Sequence, residues 1–162
     1  MSKHIVNIAD VELQPRPPQR APTGAAAQRF DARIGIIAPK LGAKKLGYNL
    51  TAVPPGKRAF PFHCHHLNEE MFYVIEGSGE VRIGEESFTI RAGDIIACPP
   101  GGHELAHQII NTGAGELKYL AVSTMEGPEV CEYPDSGKIA VLSESIRYIN
   151  RLDSQAGYWD GE

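Results

Sequence analysis

The feature that most constrains this chain is a short segment in which two histidines and a carboxylate recur at close spacing. His63 and His65 lie two residues apart, and Glu70 follows five residues later. On an extended strand, side chains two apart point to the same face, so both histidines aim into one cavity. Glu70 reaches that cavity from an adjacent strand if the chain turns near residues 67–68. Two imidazoles and a carboxylate suit a borderline divalent metal such as Fe, Mn, Ni, Zn or Cu, whereas the alternative is a surface loop with scattered histidines.

From residue 47 onwards the sequence reads as short strands separated by glycine and proline turns. The predicted strands cover residues 48–53, 60–65, 70–76, 80–83, 87–90, 95–98, 106–110 and 117–124. Turn signals stand between them at residues 54–56, 77–79 and 84–85. Such a series of closely spaced short strands predicts an all-β sandwich or barrel.

The histidine-rich segment has the spacing H-x-H-x4-E-x6-G, which resembles the first motif of the cupin superfamily. The second motif of that family reads roughly G-x5-P-x-G-x2-H-x3-N, and Gly93, Pro99 and Gly101 fit it here. The resemblance covers about residues 47–124. It implies a double-stranded β-helix, a small jelly-roll barrel with its site inside.

The histidine of the second motif departs from the family pattern. The standard position falls on Glu104, which His103 and His107 bracket. His103 requires a loop one residue shorter, whereas His107 requires a loop three residues longer but keeps the family spacing to Asn111. A loop insertion before a strand costs less than moving a ligand off the strand, which favours His107.

The resemblance implies that His63, His65, Glu70 and His107 hold one divalent transition metal, either Zn, Fe, Mn or Ni. Such a set leaves one or two positions open for water or substrate on an octahedral metal, as a catalytic metal requires. Cys64 alternates with the two histidines, so we predict that it faces away from the metal as a small buried hydrophobe.

Small single-domain cupins that resemble this chain are described as sugar-phosphate isomerases, so the resemblance implies a small-molecule ligand and an isomerase-like activity. Lys57 and Arg58 stand beside the first motif and suit a phosphate at the mouth of the site. Two alternatives stay open, a metal-dependent dioxygenase and a non-catalytic cupin that binds or senses a ligand. Small cupins usually pair, so we expect a homodimer that covers open sheet edges.

Composition narrows the remaining classes. The 162 residues carry a net charge of -4 with no basic cluster in the sequence, so nucleic-acid binding has little support. No apolar run approaches the ~20 residues that cross a bilayer, so we expect no membrane association and a cytoplasmic location. The three cysteines are odd in number and form no C-x-x-C pair, which argues against a disulfide scaffold.

The chain divides into three predicted parts, namely an N-terminal arm with a first strand (1–46), the barrel (47–124) and a C-terminal extension (125–162). The arm is proline-rich over residues 13–22 and should be extended, either disordered or laid across a neighbouring subunit. Strand regularity fails after residue 124. The terminal pair Tyr158 and Trp159 either packs on the barrel or a partner, or stays solvated.

Overall fold

A computed structural model describes residues 4–153 and 156–162 of the protein. The first three residues of the predicted arm and residues 154–155 of the predicted extension lie outside the described residues. Within those ranges the chain forms thirteen strands and one short α-helix, which confirms the predicted all-β fold. No helix in the same ranges is long and apolar enough to cross a membrane.

The elements follow one another along the chain with short connections. The first seven strands are β1 (Gln14–Pro15), β2 (Arg33–Ile36), β3 (Leu46–Val53), β4 (Cys64–His65), β5 (Glu70–Glu76), β6 (Ser78–Ile83) and β7 (Glu86–Arg91). The last six are β8 (Ile95–Cys98), β9 (His107–Ile110), β10 (Leu117–Thr124), β11 (Glu129–Tyr133), β12 (Lys138–Leu142) and β13 (Arg147–Arg151). The helix α1 spans Ala25–Arg29.

The strands form three antiparallel sheets. Their orders are β1-β2-β3-β10-β5-β8, β13-β12-β11-β4 and β7-β6-β9. One core collects buried side chains from the six-stranded and three-stranded sheets, so these two sheets pack face to face. Its members include Val53, Phe72, Val74, Val81, Ile109 and Tyr119.

Strand β5 shows why this packing brings Glu70 inward. Phe72 and Val74 are 5% and 0% exposed, whereas Tyr73 between them is 41% exposed. This alternation is the two-residue period of a half-buried strand. Glu70 has the same parity as Phe72 and Val74, and its side chain points towards the same interior.

Asn111 fixes the turn that follows β9. It is fully buried, its Nδ2 donates to the carbonyl oxygens of Val53 and Gly115, and its Oδ1 accepts from the Gly113 amide. A buried amide with all these bonds made stabilises the turn, because leaving any one unmade would cost free energy. The turn thereby holds the end of the strand that begins with His107.

Five of the predicted strands differ in extent from the structure, most of them by one or two residues. The strand predicted over residues 60–65 is reduced to Cys64–His65, because Pro61 has no amide hydrogen with which to join a ladder. His63 instead forms an isolated bridge to His107. Strand β6 begins at Ser78, so the predicted turn over residues 77–79 is made at Gly77, which has a φ of 84°.

The C-terminal extension is more regular than the sequence indicated. The prediction that strand order fails after residue 124 is wrong, since β11, β12 and β13 form an antiparallel meander. Strand β11 also pairs with β4 and places Cys131 opposite His65. Tyr158 and Trp159 are 86% and 77% exposed, so within one chain this pair is solvated.

The N-terminal arm packs on its own barrel. Strand β1 pairs with β2, and β2 pairs with β3 of the barrel. Arg16 Nη2 donates to the Ala59 carbonyl oxygen at 2.7 Å. The Lys57 Nζ reaches back to the carbonyl oxygens of Ala27 and Gln28 at the end of α1. The described part of the arm is therefore an ordered cover on the barrel.

Candidate metal centre

The two sequence motifs meet through their backbones. The amide of His63 donates to the His107 carbonyl at 3.2 Å, and the amide of His107 donates to the His63 carbonyl at 2.7 Å. This reciprocal pair sets the two histidines directly opposite each other. Their imidazole centroids lie 4.7 Å apart. The bridge, rather than a long strand, is therefore what brings the second motif to the first.

Three imidazole nitrogens converge on one carboxylate oxygen. Glu70 Oε2 lies 2.9 Å from His107 Nε2, 3.4 Å from His65 Nε2 and 3.7 Å from His63 Nε2. The His107 side chain is 4% exposed and the other three side chains are 15–17% exposed. The four predicted ligand residues are thus brought together in a largely buried cluster.

The outer ring nitrogens of two of these histidines face backbone carbonyls. His63 Nδ1 lies 2.9 Å from the Pro61 oxygen, and His107 Nδ1 lies 3.4 Å from the Leu105 oxygen. A carbonyl only accepts, so each Nδ1 donates its hydrogen to the backbone and each Nε2 is turned towards Glu70. This is the arrangement in which backbone partners orient metal-binding histidines.

His65 is held differently from the other two histidines. Its Nδ1 lies 3.3 Å from Cys131 Sγ and 3.5 Å from Glu129 Oε2. Its Nε2 is buried with no hydrogen-bond partner among the residues that the structure describes. A buried ring nitrogen without a partner is costly unless something else binds it, and it points at the same centre as Glu70.

The pKa values of the cluster reflect this crowding. Burial alone would raise the pKa of Glu70, but its contacts with the imidazoles of His107, His63 and His65 outweigh burial and hold that pKa far below its usual range. Burial alone would lower the pKa of His65, but the contact with Cys131 and the nearby charge of Glu70 raise it to about 10. Glu70 is therefore ionised at physiological pH, and its negative charge favours a cation within the cluster.

The donor set fits a divalent transition metal. Three imidazole nitrogens and one carboxylate oxygen lie close together in a largely buried space, where one cation could bind all four. Three nitrogens and one oxygen are the donors that Zn, Fe, Mn or Ni accept, and none of them selects strongly among these metals. The unpartnered His65 Nε2 is the atom that such an ion would satisfy.

His103 lies outside this cluster. Its side chain is 58% exposed, and its Nε2 pairs with Glu132 Oε2 at 2.7 Å. The other oxygen of Glu132 lies 2.6 Å from His66 Nε2. Glu132 therefore pairs with His66 and His103, the two histidines near the motifs that are not candidate ligands, on the surface beside the centre.

The walls of the centre come from two sources, strands β5 and β11. Phe72 packs against His107 with centroids 5.6 Å apart, as expected from its place on β5. Strand β11 contributes Glu129 and Cys131 beside His65, and Tyr133 stacked on His63 at 6.0 Å. These three residues alternate along β11, and this i, i+2, i+4 pattern was the available signal. Cys64 faces away into a small cluster with Phe62, as predicted.

A pocket of about 650 Å³ opens beside His65. Its polar wall consists mainly of hydroxyl, amide and carboxylate groups, including those of Asn68, Ser123 and Glu126. Its lining contains no lysine or arginine among the described residues. Neither Lys57 nor Arg58 lines this pocket, because Lys57 reaches α1 and Arg58 lies in a second pocket under the arm.

Comparison with known proteins begins with the barrel. Residues 49–123 match a family model described as a cupin domain. An uncharacterized protein of Methanocaldococcus jannaschii is 37% identical over 71 residues, which are 44% of this chain and 54% of that protein. An oxalate-binding protein of Thermotoga maritima is 33% identical over 70 residues, which are 43% and 54% of the two chains. This chain spans about half the length of these curated relatives.

A solved structure resembles almost the whole chain. A sugar phosphate isomerase from a cupin superfamily, from Silicibacter pomeroyi DSS-3, has a TM-score of 0.79 and 21% identity. The match covers 96% of this chain and 98% of that one. At this identity the likeness concerns the fold, and it confirms the predicted double-stranded β-helix.

Proposed function

We propose, from the match of residues 49–123 to a cupin domain model, that the protein is a metal-dependent enzyme acting on a small molecule at His63, His65, Glu70 and His107. The observation that carries the proposal is the meeting of three Nε2 atoms within 2.9–3.7 Å of one carboxylate oxygen. The unpartnered Nε2 of His65 supports it further. The ion would be Zn, Fe, Mn or Ni.

A bound ion of this kind supplies Lewis-acid polarisation of a carbonyl or hydroxyl oxygen. The chain provides the surroundings for that chemistry. Phe72 closes the inner side with an apolar wall against His107. Burial raises the pKa of Tyr133, so its phenol keeps its proton beside His63. A protonated phenol in this place is suited to donate a hydrogen bond to an oxygen of the ligand.

The pocket beside His65 favours a hydroxyl-rich ligand. Side chains such as those of Ser123, Ser143 and Ser145 exchange hydrogen bonds with hydroxyl groups, whereas Glu126 and Glu144 disfavour an anion there. A sugar-like hydroxy-carbonyl compound satisfies both conditions. Isomerisation of such a compound is the reaction that we propose. The name of the S. pomeroyi protein, a sugar phosphate isomerase, supports the sugar and the type of reaction but not the phosphate.

Binding without turnover is the second candidate function. The T. maritima relative is named an oxalate-binding protein and shares 33% identity over 70 residues of this barrel. A small dicarboxylate chelates an ion by two oxygens and needs no proton-transfer group. In that case the ion would serve as the recognition element, and Tyr133 would only orient the ligand.

The test compares metal-loaded and chelated protein against matched ligands. Thermal unfolding is followed with a sugar, its sugar phosphate and oxalate, because a ligand that binds the folded state raises the melting temperature. We expect the loaded protein to respond to the sugar-like compounds and to convert one of them at an equal rate with and without oxygen. Turnover that stops without oxygen would indicate a dioxygenase. A shift with oxalate and no turnover would favour the binding protein.

We also propose that the protein is a homodimer. Tyr73 of β5 and Ile95 of the edge strand β8 are direct partners in the sheet and are 41% and 70% exposed. Together with the open edge of β8 they present an apolar surface that a second copy would cover. Light scattering should give twice the mass of one chain, and Ile95→Glu should lower it. A monomeric wild type would contradict the proposal.

A further inference from the structure

A second pocket lies on the outer side of the barrel, under the N-terminal arm. Its volume is about 590 Å³, which is in the range of small-molecule sites. Six basic side chains line it against one carboxylate, Asp135. The basic residues are Arg16, Arg20, Arg29, Arg58, Arg82 and Lys138. The whole chain carries a net charge of -4, so this local excess of positive charge is opposite in sign to the rest of the molecule.

This outer pocket is separate from the metal centre. Phe62 and Gln108 line this pocket. Each is adjacent in sequence to a candidate metal ligand, since Phe62 precedes His63 and Gln108 follows His107. Adjacent side chains on extended backbone point to opposite sides. Gln108 also donates from Nε2 to the Phe60 carbonyl at 2.7 Å, on the side away from Glu70. A molecule in this pocket is therefore divided from the metal centre by one layer of backbone.

Several of the cations have no anionic partner. Arg82 is paired with both oxygens of Asp135 at 3.0 Å, which uses the one carboxylate of the lining. The side chains of Arg20, Arg29 and Arg58 make no hydrogen bond or ion pair within residues 4–153 and 156–162. Like charges gathered without counter-charges repel one another, and an anion bound in the pocket would relieve this repulsion.

The shape of the pocket excludes a simple ion as its full occupant. Three phenylalanines contribute to its wall, and guanidinium groups of Arg16 and Arg82 lie 4.7 and 3.6 Å from the rings of Phe60 and Phe62. Inorganic phosphate fills only a small part of about 590 Å³. A guanidinium group pairs with phosphate oxygens through two parallel hydrogen bonds, and apolar walls accept the carbon skeleton.

We propose that this outer pocket binds a small organic molecule that carries two or more anionic groups, with phosphate esters as the class it fits best. The proposal does not depend on the reaction at the metal centre. The arm, the three-stranded sheet and the loop before β12 all contribute residues to the pocket. A bound ligand would therefore also hold the arm against the barrel.

The experiment is calorimetric titration of the full chain with fructose 1,6-bisphosphate, fructose and inorganic phosphate. We expect the bisphosphate to bind at least tenfold more tightly than inorganic phosphate, fructose to give no heat, and added salt to weaken binding. The variant R20A/R58A should weaken bisphosphate binding at least tenfold. The matched variant K40A/K44A removes two exposed positive charges outside the pocket and should change affinity less than twofold.

A final arm uses His107→Ala, which alters the metal centre and leaves the outer pocket intact. Bisphosphate affinity should stay within twofold of wild type, and melting temperatures show whether each variant is folded. Equal weakening in the two double variants would reveal a general charge effect and overturn the proposal. Loss of bisphosphate binding in folded His107→Ala would place the ligand at the metal centre and overturn it as well.

Discussion

The two faces of strand β9 border two sites that favour ligands of opposite charge. On the inner face of β9, His107 belongs to the cluster of imidazole nitrogens around the Glu70 carboxylate, which suits a cation. On the outer face, Gln108 borders a pocket whose guanidinium groups call for an anion. The inner cluster is nearly closed by its own contacts, since of its ring nitrogens only the Nε2 atoms of His63 and His65 make no hydrogen bond among the described residues. In the outer pocket, the side chains of Arg20, Arg29 and Arg58 make no hydrogen bond or ion pair with any residue that the structure describes.

This difference shows how each face gets its affinity. Inner-face side chains are held by the backbone carbonyls of Pro61 and Leu105 and by side chains of β11 before any ion arrives, so little order has to be created on binding. Outer-face arginines are long and partly exposed, so binding there must order them. We expect tight, pH-dependent binding inside and weaker, salt-dependent binding outside.

The largest effect should come from removing a ligand on the inner face. His107→Ala should abolish near-stoichiometric metal content, because removing a ligand costs more than the roughly 10–100-fold loss seen for outer-shell partners. Gln108→Ala, one residue along on the outer face, and His103→Ala should keep the metal. Metal per chain by mass spectrometry measures all three. Metal loss in His103→Ala would move the fourth ligand to the loop.

The next effect tests β11 as a wall of the centre. Cys131→Ala removes the group beside His65 Nδ1 and should weaken metal binding by about tenfold. Cys64→Ala removes an equally buried thiol on the opposite side of β4 and should leave metal affinity unchanged. Both variants should lose about 1 kcal/mol of stability, so only metal competition with a chelator separates them. Equal metal affinities would mean that Cys131 does not orient His65.

A smaller effect concerns acid stability at the rim between the two regions. Hydrogen bonds from His103 and His66 hold the pKa of Glu132 below its usual value of 4.5. A depressed carboxyl pKa stabilises the fold above the unfolded value, and the contribution is lost as the pH falls. Glu132→Gln should therefore lose less stability than wild type between about pH 5 and about pH 3, by about 0.5 kcal/mol. Chemical unfolding of chelated protein measures this, and identical pH slopes would contradict it.

The smallest effect should follow loss of the contact between Lys57 and the end of α1. Lys57→Ala removes a cation that bonds two terminal carbonyls and should lower stability by about 0.3 kcal/mol. Metal content and bisphosphate affinity should not change, since Lys57 lines neither site. A large loss of bisphosphate binding would extend the outer pocket to this residue.

Local patterns carried most of what the sequence could predict. Strands β5, β8 and β10 have the predicted bounds, because each is a period-two or apolar run between turn residues. The convergence of His63, His65 and Glu70 follows from the same period over a few residues. These features need no knowledge of which distant strands meet.

Features assembled from distant segments could not be read in this way. The outer pocket draws cations from positions 16 to 138, so no stretch of sequence appeared basic. Strand β11 reaches the metal centre only through its pairing with β4. The proposed role of Lys57 and Arg58 beside the first motif relied on sequence neighbourhood, and the fold directs them to the arm side of the barrel.

The position of the Glu129 carboxylate determines how much of the chain is needed to reproduce the metal centre in another protein. Its two oxygens accept the amides of His66, Leu67 and Asn68, the loop that connects His65 to Glu70. The family match ends at residue 123, so this clamp lies beyond it. A fragment cut at that boundary would retain all four candidate ligands and lose the group that holds two of them in register. Transplanting this centre into another protein therefore means moving the C-terminal hairpin with the barrel.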